Sequence, residues 1–141
     1  MQIVDANVLL YAVNRDSPHH RSARRWLDNA LSGADAVGFS WMVVLAFLRL
    51  TTHPRVFPQA LSLDQAVDVV EQWLAQPATM IIEPTPRHLN LLAALLADAG
   101  VAANHVNDAH LAALALEHRA QLVSFDRDFH RYEGLRHHVP K

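Results

Sequence analysis

Apolar residues along the chain fall into short unbroken blocks that alternate with longer stretches repeating at helical spacing. Gln2 to Val4 is a short apolar block ending at Asp5, and Val8 to Val13 follows at once, so a strand feeds straight into a helix with Asp5 at the junction. Between Pro18 and Leu31, residues Ala23, Trp26, Leu27, Ala30 and Leu31 recur at helical spacing while Arg21, Arg24 and Arg25 take the other face. Ala36 to Phe39 predicts a second strand. Ser40 is placed to cap a helix running from Trp41 to Thr51, which His53-Pro54 ends. Ser62-Leu63-Asp64-Gln65 is a capping-box pattern before an apolar repeat at Ala66, Val69, Val70, Trp73 and Leu74.

Thr79 to Ile82 predicts a third strand. Thr85-Pro86 predicts an N-cap with proline at the first helical position, opening a helix that ends at Gly100. Asn107 and Asp108 open a helix that is apolar on nearly every side and therefore buried, and Gln121 to Phe125 predicts a fourth strand running into Asp126. His137-His138 reads as a solvated tail. Strands alternating with helices require crossover connections, which gives a three-layer α/β/α sandwich with a central, mainly parallel sheet. No repeat or Gly/Ser linker divides residues 1–141, so one domain is expected.

Composition narrows the function classes. With 51% apolar and 18% charged residues in a chain of 141, a sizeable core is available without disulfides or a structural metal. The absence of cysteine removes thiolate zinc sites and redox motifs. The first apolar block contains Asp5 and follows no basic residue, unlike a signal peptide, and the longest apolar run, Trp41 to Leu48, is far below the roughly 20 residues of a membrane span. A cytoplasmic protein without a membrane segment is expected. The net charge of -2 makes any nucleic-acid contact a matter of local patches.

Candidate chemistry lies at the strand ends, where open parallel sheets bind ligands. Asp5 follows the first strand, Asp126 and Asp128 follow the last, and Asp108 lies in the first turn of the buried helix. Any one of them is an ordinary cap or dipole partner. Converging carboxylates are different: at about 4 Å each pair repels by roughly 4 kcal/mol at an effective dielectric of 20. A hard cation such as Mg²⁺ or Mn²⁺ would offset that and serve phosphate chemistry. His105 and His110 lack the spacing of a zinc helix. Arg15, Arg49, Arg55, Arg127 and Arg131 fall in segments bordering the acids, whereas Arg24 has Asp28 four residues on and reads as part of a solvated face.

The segments VDANVLLYAV, FSWMVVLAFLRLTTHPRVF and HVNDAHLAALALEHRAQLVSFDRDF, with the closing Gly134-Leu135-Arg136, together resemble a PIN-domain ribonuclease, and more narrowly the VapC toxins of bacterial toxin-antitoxin pairs. The resemblance covers nearly the whole chain. It implies a Mg²⁺-dependent endoribonuclease acting on structured RNA, a homodimer, and a VapB-like antitoxin that blocks the site. It also implies that Asp5 and Asp108 ligate the metal, that Asp126 completes the catalytic acids and that Asp128 assists. Asn7 would hold Asp5, with Ser40 and Asn107 as further supports, and Arg15, Arg49 and Arg127 would contact RNA. One position departs from the pattern: Phe47 stands where many PIN domains carry Glu, and with Val43, Val44 and Leu48 as helix neighbours it reads as a core residue. That departure favours the alternative of an idle RNA- or protein-binding module. Asn7 in place of a second Asp argues against an aspartyl phosphatase.

Overall fold

A computed structural model describes residues 1–100 and 103–141. In chain order the elements are β1 (Gln2–Val4), α1 (Ala6–Val13), α2 (His20–Leu31), β2 (Val37–Phe39), α3 (Trp41–Thr51), α4 (Leu63–Leu74), β3 (Thr79–Ile81), α5 (His88–Asp98), α6 (Val106–Glu117), β4 (Gln121–Val123) and β5 (His137–His138). Short 3-10 turns at Ala103–His105 and Arg127–Arg131 precede α6 and follow β4.

The five strands form one sheet in the order β3-β2-β1-β4-β5, and each neighbouring pair is parallel. The chain steps outward from β1 to β3, then returns across the sheet to lay β4 beside β1. Right-handed crossovers therefore send α1 to α4 to one face and α5 and α6 to the other. Contacts agree: α1 packs on α2 and α3, α3 on α4, and α5 on α6. The strand order reverses between β1 and β4, whose carboxyl ends carry Asp5 and Ser124-Phe125-Asp126.

Burial follows the patterns that predict the elements. Ile3, Val4, Val37, Phe39, Leu122 and Val123 fill the sheet, and Ala109 and Leu111 to Ala115 make α6 the most buried helix. Gly38 is required by close packing, since a Cβ there would sit 3.1 Å from both Ile3 and Ile82. Ser40 caps α3 through Val43 N–H at 3.2 Å. Ser62 and Gln65 close the expected capping box on α4.

Two expectations are corrected. His137–His138 is an edge strand and not a solvated tail: Leu122 N–H donates to Arg136 O and Ser124 N–H to His138 O, at 2.9 and 3.0 Å. Two half-buried histidines give no apolar alternation from which to read a strand. Helix α5 begins at His88, with Arg87 and not Thr85 at its cap. The Thr85 hydroxyl is taken up by Glu117 on α6, and Thr85 O closes a turn onto His88 N–H at 3.0 Å.

Candidate active site

Asp5 leaves the sheet at the point of strand reversal, where Asp5 N–H still bonds Val123 O of β4 at 2.9 Å. One carboxylate oxygen accepts from Ala6 N–H at 2.7 Å and caps α1. The other accepts from the Ser124 hydroxyl at 2.6 Å and from the Asn7 amide at 3.2 Å. Ser124 is fully buried, and its oxygen also accepts from Asn7 Nδ2 and Asp126 N–H, both at 3.0 Å. Asn7 Oδ1 accepts from Phe125 N–H at 3.1 Å. Asn7 and Ser124 thus lock the ends of β1 and β4 into one hydrogen-bonded unit around Asp5.

Asp108 reaches the same place from the first turn of α6. With Asp5, Ala6, Met42, Leu45, Ala46, Arg49 and Asn107 it lines a cleft of about 520 Å³. Burial raises the Asp5 pKa to about 6 despite the bonds from Ser124 and Ala6, and Asp108 and Asp126 add repulsion. The Asp108 carboxyl is raised too, first by burial and then by Asp126, against the attraction of His105 and Arg131. The carboxylates therefore sense one another, and burial makes their charged forms costly. Among the described residues, no three Asp, Glu or His side chains lie close enough to encage an ion by themselves.

The expected residues divide into three groups. Asp5, Asp108, Asn107 and Arg49 share the cleft, and Asn7 braces Asp5 as expected. Asp126 lies at its margin, where its Oδ1 accepts from Asp128 N–H at 2.9 Å. Asp128 points outward, exposed and 3.5 Å from Arg131; Arg127 is exposed beside it. Arg15 lies elsewhere, in a pocket with Asn14, Phe57 and Leu61, and the Ser40 hydroxyl is spent on its helix cap.

Phe47 is fully buried and set edge-on to Trp73, ring centroids 4.9 Å apart. The face of α3 that lines the cleft carries Met42, Leu45, Ala46 and Arg49, so this helix contributes no carboxylate to it. Phe47 is a core residue. Arg24 pairs with Asp28 at 3.0 Å on an exposed face, as expected.

Sequence reasoning missed three groups. Ser124, the hub under Asp5, was signalled only by a polar residue closing a strand. Tyr132 is 3% exposed and its hydroxyl finds no partner among the described residues; burial, with Asp108 next, raises its pKa. Between α5 and α6, Glu117 accepts from Thr85 N–H at 2.9 Å and from the Thr85 hydroxyl and binds His88 Nδ1, while His88 Nε2 meets His110 Nδ1 at 2.8 Å. His105 instead contacts Arg131 at 3.0 Å, so His105 and His110 do not converge.

The sequence profile of the PIN domain family matches residues 3–135. Ribonuclease VapC37 of Mycobacterium tuberculosis is 56% identical over 140 residues, covering 99% of this chain and 97% of the relative. Ribonuclease VapC25 of the same organism is 41% identical over 140 residues, covering 99% of each chain. Among solved structures, VapBC2 from Rickettsia felis bound to a promoter DNA fragment aligns with TM-score 0.74 at 18% identity, over 99% of this chain and 98% of that one. VapC20 of M. tuberculosis, described as a sarcin-ricin loop cleaving toxin, aligns with TM-score 0.67 at 17% identity, over 96% and 99%. At that identity the structural likeness concerns the fold.

Proposed function

The chain belongs to the PIN domain family, in its VapC ribonuclease branch, and on that footing we propose that residues 1–141 form one domain acting as a metal-dependent endoribonuclease, the toxin of a VapBC-like pair. What supports this most is the pairing of Asp5 and Asp108 in one cleft at the strand reversal, where burial, with repulsion between acids added, disfavours their charged forms. All-oxygen donors of this kind suit Mg²⁺ or Mn²⁺. The orphaned Tyr132 hydroxyl near the acids leaves a polar group for water to satisfy. Because no three ligands encage the site, an ion held here keeps much of its water, as Mg²⁺ does.

Asp5 and Asp108 would hold the ion, Asp126 would add charge at its edge, and Asp128 would act only through water. The ion supplies Lewis acidity and a more acidic bound water for phosphodiester hydrolysis. Asn7 and Ser124 fix the Asp5 carboxylate so that it need not reorganise during turnover. Arg49 inside the cleft and Arg127 at its rim would contact phosphates of the RNA, each as a planar fork. Arg15 would serve a longer substrate, since it stands in a separate pocket. A structured RNA loop is the favoured substrate, and the homodimer expected from the resemblance remains part of this reading.

The antitoxin reading rests on the wall beside the acids. Trp41 and Leu45 of α3 are 51% and 59% exposed, and Leu45 lines the acidic cleft. An amphipathic antitoxin segment would cover these side chains, and an arginine among Asp5 and Asp108 would take the place of the cation. No helix of the described residues is long and apolar enough to cross a membrane, and a cytoplasmic location fits an RNA substrate. The test is a brief pulse of expression without antitoxin, followed by mapping of RNA 5′ ends. Discrete new ends, absent with Asp5→Asn, are expected. An unchanged RNA population would overturn the reading in favour of an idle binding module.

A further inference from the structure

Phe125 lies two residues beyond β4 and precedes Asp126, and its ring packs against the edge of the core while staying half-exposed. The His19 ring lies on it with centroids 4.7 Å apart and planes tilted by 34°. Tyr11 meets Phe125 edge-on at 5.2 Å and His19 at 5.2 Å. The cluster is rooted in the acidic site, because the Asn7 side chain that accepts from Phe125 N–H also donates to Asp5.

His19 immediately precedes α2. It is the N-cap of α2, a place favouring Ser, Thr, Asp or Asn, whose side-chain oxygen binds free N–H groups; the His19 side chain makes no capping bond. The loop nonetheless fixes it. Ser17 Oγ accepts from His19 N–H at 3.1 Å, and His20 Nδ1 bonds Tyr11 O at 2.8 Å. His19 is exposed, while Tyr11 and Phe125 cover one side of its ring. Ser17 caps the start of the helix two residues earlier, which leaves His19 to hold an aromatic ring with one side in water, beside a site for phosphate chemistry.

Aromatic rings at the end of a supported stack bind unpaired bases, which offer a π-face whatever their identity. We propose that the open face of His19, at the end of the Phe125, Tyr11 and His19 cluster, is a stacking subsite for an unpaired nucleobase flanking the phosphodiester that is cut. This rests on the ribonuclease reading above and adds to it a contact to the base. The subsite reads stacking strength and carries no hydrogen-bond code, so purines bind it better than pyrimidines.

The test uses the full chain freed of antitoxin, with EDTA present so that RNA is bound and not cut. Short unstructured oligoribonucleotides carrying 2-aminopurine at successive positions are titrated, and the quench of the stacked base is read. His19→Ala should weaken binding about tenfold and abolish the quench at one position, while His19→Phe should keep both. An abasic nucleotide at that position should erase the difference between wild type and His19→Ala. Equal binding by wild type and His19→Ala, or rescue by His19→Lys but not by His19→Phe, would overturn the proposal, the latter in favour of a phosphate contact. Wild-type protein that cuts RNA at discrete sites regardless of His19 would sink the subsite alone. Protein that neither binds nor cuts RNA would sink the ribonuclease reading and the subsite with it.

Discussion

Asp5 and Glu117 are both carboxylates withdrawn from water, and their surroundings treat the charge in opposite ways. The Glu117 side chain is 1% exposed. Burial pushes its pKa up, but the Thr85 hydroxyl, His88 and Thr85 N–H outweigh burial and leave it below the ordinary value. Asp5 also accepts three hydrogen bonds. Burial nonetheless raises its pKa to about 6, with repulsion from Asp108 and Asp126 added. A buried carboxylate whose charge is answered from within the protein ties α5 to α6. One whose charge is left unanswered waits for a cation from outside, and strongly shifted acids in a cleft mark such sites.

The contrast is broken most forcefully by removing the acids. Asp5→Ala or Asp108→Ala should lower single-turnover RNA cleavage by about a thousandfold, the several kcal/mol that a metal supplies, and retained activity would remove that residue from the site. Glu117→Ala should do the reverse. Leaving its partners buried and unpaired costs roughly 3 kcal/mol, seen as a melting temperature lower by about 6–12 °C, while cleavage at low temperature stays near wild type. Ser124→Ala strikes the brace under Asp5 and should slow cleavage about 10- to 100-fold, with metal affinity reduced in a titration.

The smallest effect concerns pH. The Asp5 carboxyl binds a proton more readily folded than unfolded, so its ionised form destabilises the metal-free protein above about pH 6, and that penalty fades as pH falls toward the unfolded value of 3.8. The stability of Asp5→Asn relative to wild type should therefore decrease between pH 7.5 and pH 5, by on the order of 1 kcal/mol. Glu117 has the opposite sign: its contribution is complete above the ordinary carboxylate range and is lost only in stronger acid. Melting curves of wild type, Asp5→Asn and Glu117→Gln across pH in EDTA would separate the two.

Much of the acidic site was legible because its signals are local. A carboxylate closing an apolar block, an Asn two residues on, and an Asp in the first turn of an apolar helix can each be read within a few residues, and the sandwich then brings them together. The Glu117 cluster was not legible. Thr85 and His88 lie 32 and 29 residues before Glu117 across the α5–α6 packing, and no spacing rule predicts their meeting. The burial of Phe47 was legible from its neighbours Val43, Val44 and Leu48 on an apolar helix, while its partner Trp73 on α4 was not. Strand β5 escaped because its pairing uses backbone groups on a polar edge.

Metal-dependent thermal melts at pH 7.5 test most directly whether the uncompensated acids are the ion-binding centre. Millimolar Mg²⁺ or Mn²⁺ should raise the melting temperature of wild type and Glu117→Gln by a few degrees through linkage. It should leave Asp108→Asn unmoved, and in EDTA that variant should melt higher than wild type because a repelling charge is gone. A shift in Asp108→Asn equal to that of wild type, or none in wild type, would contradict the account.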